Sequence, residues 1–293
     1  MATMVQWIEG ARPRTLPIAV SPVLVGTGAA IGSGVVAPGR ALLALVVALA
    51  LIVGVNYAND YSDGIRGTDD ERVGPLRLVG SRAAAPSAVR AAAIVALSVA
   101  GLAGLTLVSL SRQWWLITVG ALCILGAWYY TGGKRPYGYA GLGEVAVFLF
   151  FGPVGVLGTV LTQSGPPGAL AIVGAVGVGL LACAVLVANN LRDIPTDEVV
   201  GKRTLAVLLG DTDTRRLYAA LAAGPFLLSV AAGLRSWPML LALLAVPLAV
   251  LPIRDVLGGA TGRKLIRVLA QTSLLLLAWS ALTAVGLLLG RFV

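Results

Sequence analysis

Long apolar runs separated by short polar loops dominate this chain, and several runs extend beyond 18 residues without a charged side chain. Runs of that length match the hydrocarbon thickness of a bilayer, so they predict transmembrane helices rather than a soluble core. Nine spans follow from the pattern, at 16–33, 40–59, 88–109, 113–131, 142–162, 168–190, 215–234, 237–256 and 267–289. Pro22, Pro153, Pro225, Pro247 and Pro252 fall within them as candidate kinks. The fold class expected is all-α, a polytopic membrane protein. Glu9, Arg12 and Arg14 precede the first run, which leads into further spans and lacks a convincing cleavage site, so no signal peptide is expected.

Composition agrees with the pattern: 58% of residues are hydrophobic, 12% are charged, and the mean hydropathy is +0.90. The formal charge of +9 does not point to nucleic acid, because the basic residues are scattered through short loops. With the N-terminus inside, 18 of the 22 basic residues fall on one side, and only Arg40, Arg112, Arg235 and Arg291 fall on the other. That asymmetry is the positive-inside signal, and an odd number of spans leaves the weakly charged C-terminus outside. All 13 acidic residues fall on or near the same cytosolic face. Acids contribute little to orientation, so insertion does not explain their clustering, whereas a cation site would. There is no histidine, which removes histidine bases and argues against a zinc site, so any metal expected is a hard cation bound by oxygen. Cys123 and Cys183 lie in apolar runs and read as core fillers, not a disulfide.

Two stretches look like copies of each other. Asn56, Asn59, Asp60 and Asp63 close the second span, and Asn189, Asn190, Arg192, Asp193 and Asp197 close the sixth. Asn56/Asp60 and Asn189/Asp193 repeat the same four-residue spacing at an offset of 133 residues. On a helix that spacing puts both side chains on one face. The repeat suggests two parallel four-helix halves plus one helix, around a central cavity open to the cytosolic side. The chain then forms a single transmembrane domain, 1–293. Its longest loops, 60–87 and 191–214, become the cytosolic active-site loops.

Carboxylate and amide oxygens suit Mg²⁺, usually with substrate phosphate completing the shell. The candidate metal ligands are Asn59, Asp60, Asp63, Asp69, Asp193 and Asp197. Pro195 argues that the helix breaks between Asp193 and Asp197, so that Asp197 would come from a turn. Only three lysines stand among 19 arginines, and two of them, Lys134 and Lys202, sit beside motifs, as compact charges for phosphate would. Tyr130 and Lys134 share a face if their helix continues, although Gly132-Gly133 suggests a turn. Arg66, Arg72, Arg77, Lys202 and Arg203 are candidate anion-binding groups. Tyr137 and Tyr139 fit an interfacial aromatic belt. Glu144 opens the fifth span as an interface residue or a cavity residue.

Paired magnesium sites and cations on a membrane face suit a lipid diphosphate. Departure of an allylic diphosphate leaves a carbocation that an apolar cavity shields from water. The motifs Asn59-Asp60-x-x-Asp63, Asp193-x-x-x-Asp197 and Tyr130-x-x-x-Lys134 resemble those of the UbiA superfamily of intramembrane aromatic prenyltransferases. The likeness covers nearly the whole chain. One departure is Gly67, where the superfamily carries the last Asp of its first motif; the nearest acids are Asp69 and Asp70. That variant, with Arg72 and Gly74-Pro75-Leu76-Arg77, resembles the branch of 1,4-dihydroxy-2-naphthoate polyprenyltransferases of menaquinone biosynthesis. So does Asn189-Asn190-Leu191-Arg192-Asp193 with Gly201-Lys202. The resemblance implies Mg²⁺-dependent prenylation of dihydroxynaphthoate by a polyprenyl diphosphate, with loss of CO₂, giving demethylmenaquinone. It implies a bacterial plasma membrane, a catalytic set of Asp60, Asp63, Asp193, Asp197, Lys134 and Tyr130, and the lipid bilayer as partner. Another acceptor, such as 4-hydroxybenzoate, a haem or a sugar phosphate, stays open, as does a cation or lipid transporter.

Overall fold

The computed structural model describes residues 2–67 and 76–292; Asp69, Asp70 and Arg72 lie outside them. The described residues form helices and loops, with no strand among them. In chain order the helices are α1 (Met4–Gly10), α2 (Pro17–Gly32), α3 (Pro38–Arg66), α4 (Pro86–Ser111), α5 (Leu116–Tyr129), α6 (Gly143–Leu149), α7 (Gly158–Gln163), α8 (Ala169–Val199), α9 (Leu205–Gly233), α10 (Val246–Leu257) and α11 (Arg263–Leu289). Pro17, Pro38 and Pro86 each start a helix, where the missing N–H has no intrahelical partner to lose.

Among the described residues seven helical segments are long and apolar enough to cross a membrane, and eight if the bent pair Met4–Thr15 and Pro17–Gly32 counts as one. This is a multi-pass membrane protein. The expected span at 113–131 is realised as α5, an apolar helix of only 14 residues. The expected span at 142–162 is composite: α6 and α7 flank a π-helical stretch, Phe150–Leu157, which contains Pro153. A proline lacks the N–H of the regular ladder, and single-turn π irregularities absorb such a break. The span at 237–256 starts as a 3₁₀ helix, Trp237–Ala245, and continues as α10. Within α9 the backbone turns sharply at Gly210 (φ 74°), a conformation that favours glycine.

Both acidic stretches are helical. α3 continues to Arg66 and α8 to Val199, beyond the apolar edges read at 59 and 190. Pro195 does not break α8, contrary to the expectation of a turn. It forfeits one intrahelical bond, but Leu191, Asp193 and Asp197 around it are buried, and the Thr196 hydroxyl donates to the Asp193 carbonyl at 2.9 Å. Asp193 and Asp197 therefore stand one turn apart on a continuous helix.

α8 is the spine. Its apolar window is 67% buried, against 44% or less in every other candidate span. It packs on α9, α11, α6, the π-helical stretch and α2. One core cluster joins Val178, Leu181 and Val185 of α8 to Leu275, Leu276 and Trp279 of α11. A second joins Val187 and Leu191 of α8 to Tyr218 of α9 and Leu265 of α11. Cys123 and Cys183 are both free thiols.

α2 and α11 approach through small residues. A Cβ at Gly28 would stand 2.6 Å from the Cα and the carbonyl oxygen of Ala284, and one at Gly32 would strike the carbonyl of Leu287. Small residues four apart let helix backbones meet closely, which in a membrane is a main source of association. Gly28→Ala should therefore lower stability by about 1–3 kcal/mol through overpacking. The check is the thermal unfolding midpoint in detergent, with Gly39→Ala as control: a Cβ there meets nothing within 4 Å and leaves the midpoint unchanged or slightly raised.

Candidate active site

Helix carbonyl ends carry partial negative charge, so carboxylates placed there run against the macrodipole by about 0.3–1 kcal/mol each. The last two turns of α3 and α8 nevertheless hold Asp60, Asp63, Asp193 and Asp197, all buried, with Asp63 and Asp197 nearest the ends. Each is answered by a donor.

Asp60 is 1% exposed. Its two oxygens accept the backbone N–H groups of Leu78 (2.7 Å) and Val79 (3.0 Å). The turn that follows the undescribed segment is thereby latched to α3, and Arg77 is placed 3.6 Å from the Asp63 carboxylate. Asp63 also accepts the Tyr139 hydroxyl at 2.6 Å. Two cations stand over the Tyr139 ring, Arg66 at 5.4 Å and Lys202 at 5.0 Å from its centroid. Lys202 in turn stands 3.7 Å from Asp197. Asp63, Tyr139, Lys202 and Asp197 thus form a continuous link from one acidic stretch to the other. Asp193 is held by Arg192 through both guanidinium edge nitrogens at 2.7 and 2.8 Å, and Arg192 also donates to Asn189 at 2.9 Å.

The amides have assigned tasks as well. Asn59 accepts the Thr131 hydroxyl at 2.8 Å, and Asn190 donates to Glu144 at 2.9 Å. Asn56 donates to the Ala11 carbonyl at 2.9 Å, tying the N-terminal segment to α3. Arg66 donates to the carbonyls of Thr131 and Gly133. The glycines after α5 do turn, with Gly133 at φ 79°, so Tyr130 and Lys134 do not share a helical face. In that turn Tyr137 donates to the Gly126 carbonyl at 2.6 Å. Burial pushes its phenol up to about 12, so it stays a neutral donor.

A single cavity of about 790 Å³ meets both stretches. Of the residues singled out from sequence, Asn56, Asn59, Asp63, Arg77 and Tyr130 line it from one side, and Asn189, Asn190, Arg192 and Lys202 from the other. Asp60, Asp193 and Asp197, all buried, are not among its lining residues, nor are Arg66, Lys134 and Arg203, which are solvent-exposed. Three charged wall residues were not anticipated as site residues: Glu9, Arg12 and Arg14. Arg12 has a left-handed backbone (φ 55°), uncommon for a non-glycine residue. Their proximity to the first span made them look like orientation signals, and no spacing in the sequence links them to α3. Tyr139, assigned to an aromatic belt, is instead the bridge between the stretches. Its position among Lys134, Arg135 and a motif tyrosine was the available signal.

The described wall carries five cationic side chains, Arg12, Arg14, Arg77, Arg192 and Lys202, against two acids, Glu9 and Asp63. Most of the remaining wall is apolar, with Ile18, Leu51, Leu105, Ile124 and Phe151 among its residues. The shape and charge suit an amphiphile with an anionic head and a hydrocarbon tail. Among the described residues no three acids stand together as a metal-binding group.

Residues 19–268 match the UbiA prenyltransferase family. The chain is 55% identical to a 1,4-dihydroxy-2-naphthoate octaprenyltransferase of Mycobacterium tuberculosis over 99% of both chains. It is 40% identical to the enzyme of the same name from Escherichia coli, over 86% of this chain and 84% of that one. Its fold is similar to that of a UbiA homolog from Archaeoglobus fulgidus bound to GPP and Mg²⁺, with a TM-score of 0.65 at 12% identity, covering 95% of this chain and 99% of that one.

Asp60→Ala leaves two buried backbone N–H groups without their acceptor, at about 1–3 kcal/mol for each. The variant should show accelerated hydrogen exchange at Leu78 and Val79, measured by mass spectrometry. Unchanged protection there would mean that Asp60 does not hold this turn.

Proposed function

The chain belongs to the UbiA prenyltransferase family, and on that premise we propose that it transfers a polyprenyl group from a polyprenyl diphosphate to 1,4-dihydroxy-2-naphthoate. The observation that carries the proposal is the single cavity reached by both Asn/Asp helix ends, cationic at one end and apolar beyond. The share of sequence held in common with relatives named for this reaction supports the choice of acceptor.

In this reading Arg77, Arg192 and Lys202 face the diphosphate and neutralise it as the allylic C–O bond breaks and the electron pair leaves with the phosphate. The apolar wall keeps water from the allylic cation, and the Tyr130 ring faces it. The electron-rich ring carbon that bears the carboxylate attacks, forming the new C–C bond. The C–CO₂⁻ bond then breaks, its electrons restore the aromatic ring, and CO₂ departs. The product is the prenylated naphthoquinol of demethylmenaquinone.

The donor set fits magnesium. Asn59 with Asp63, and Asp193 with Asp197, present hard oxygens one turn apart at two helix ends. Mg²⁺ ordinarily takes only one or two carboxylates and completes its shell with substrate phosphate and water, so a three-acid cluster is not required. We assign those four residues to the metal, with Asp69 a further candidate, and Asp60 to the turn it latches. Bound Mg²⁺ supplies charge neutralisation at the diphosphate. Lys134 and Arg203, exposed here, are left for the open end of the site.

The same proposal counts the bent pair and α5 as crossings, giving nine spans in two parallel four-helix halves plus one. It puts the protein in a bacterial plasma membrane with the N-terminus and the cavity mouth cytosolic. The loop charge asymmetry supports that orientation.

Purified protein with Mg²⁺, dihydroxynaphthoate and a polyprenyl diphosphate should yield the decarboxylated prenyl product by mass spectrometry. A product only with 4-hydroxybenzoate or another acceptor would overturn the assignment. Chelation of divalent ions should abolish turnover, and Mg²⁺ should restore it. Asp193→Ala should lower kcat/KM at least ~100-fold while the protein still purifies as a folded membrane protein.

A further inference from the structure

Glu144, the second residue of α6, has no part in the chemistry described so far. It is 7% exposed, yet it does not line the cavity. A carboxylate buried at the start of an apolar span is costly and is a functional candidate by default. Two contacts tie it to α8. Its backbone carbonyl accepts the Cys183 thiol at 3.1 Å, and its Oε1 accepts the Asn190 amide N–H at 2.9 Å. Its Oε2 has no hydrogen-bond partner among the described residues.

The chemistry of that pair sets a direction. Oε1 of the carboxyl group is an acceptor, so the amide of Asn190 must turn its NH₂ toward Glu144. The amide oxygen, Oδ1, then points away from Glu144. Asn190 lines the cavity and Glu144 stands behind it. Neighbouring Asn189 is oriented differently, its Oδ1 already taken by Arg192.

We propose that Glu144 is a positioning residue that fixes Asn190 with its carbonyl oxygen facing the cavity, as the acceptor for a ring hydroxyl of the aromatic substrate. The inference rests on the function proposed above. A prenyl diphosphate offers only acceptor oxygens and cannot satisfy an outward carbonyl. A dihydroxynaphthoate offers two hydroxyl donors. A site built to hydrogen-bond a substrate hydroxyl discriminates strongly, because its buried polar group is left unpaired without one.

The test separates KM values in steady-state kinetics with purified protein. Glu144→Leu should raise KM for dihydroxynaphthoate about tenfold. KM for the polyprenyl diphosphate and the Mg²⁺ concentration for half-activation should each move less than about twofold on the same argument. Glu144→Gln keeps a carbonyl that can accept the Asn190 N–H and should restore KM to near the parent value. Equal shifts in both substrates, a shift in Mg²⁺ activation instead, no shift at all, or a failure of Glu144→Gln to rescue would each overturn the proposal. Should Glu144→Leu not fold, Asn190→Ala is read for the same split. Turnover by the unaltered protein tests the proposed function separately. If that protein uses a different hydroxylated acceptor, the same variants are read against it.

Discussion

Negative charge held at the carbonyl ends of two helices is the constraint on which the site depends. The macrodipole disfavours a carboxylate at either end, and burial disfavours it further. Each acid is therefore matched to its own donor: backbone amides for Asp60, a phenol and Arg77 for Asp63, a bidentate guanidinium for Asp193, an ammonium for Asp197. Arg192 comes from α8 itself, and the other partners come from the described parts of the loops after α3, α5 and α8, so those residues are placed by the charges they neutralise. Tyr139 matters most in this respect, because its hydroxyl and its ring join groups from both helix ends.

The same arrangement explains why the proposed site residues and the core share an element. α8 is the most buried of the candidate spans, packs on most of the others and ends in Asn189, Asn190, Arg192, Asp193 and Asp197. A rigid spine fixes the positions of those side chains better than a loop would. The segment packed beside it is irregular: the π-helical stretch Phe150–Leu157 follows α6 directly. Widened turns of that kind are frequent at functional sites, and here Phe150 and Phe151 lie on the cavity wall.

The apolar runs alone determined that this is a helical membrane protein, because bilayer thickness leaves few alternatives for charge-free stretches of that length. They also placed the two Asn/Asp stretches at span ends, since four-residue spacing on a helix is a local property. Span count was less legible: α5 is short and the first span is bent against α1. Helix ends were also misjudged, because apolar character stops at 59 and 190 while the helices continue through buried polar turns to Arg66 and Val199. Pro195 looked like a break by local rules and is carried through by the packing around it.

What only the tertiary structure decided is which side each group faces and what it touches. Asp60 and Asp63 lie in one motif and three residues apart on one helix, yet one latches a turn and the other lines the cavity, because their partners come from distant loops. Arg12 and Arg14 reached the wall through Asn56 and the Ala11 carbonyl, a contact across 45 residues that no periodicity encodes. Sequence spacing fixes direction around one helix axis. The choice of partner depends on how separate helices pack, and that is set by close approaches such as Gly28 against Ala284 rather than by the motifs themselves.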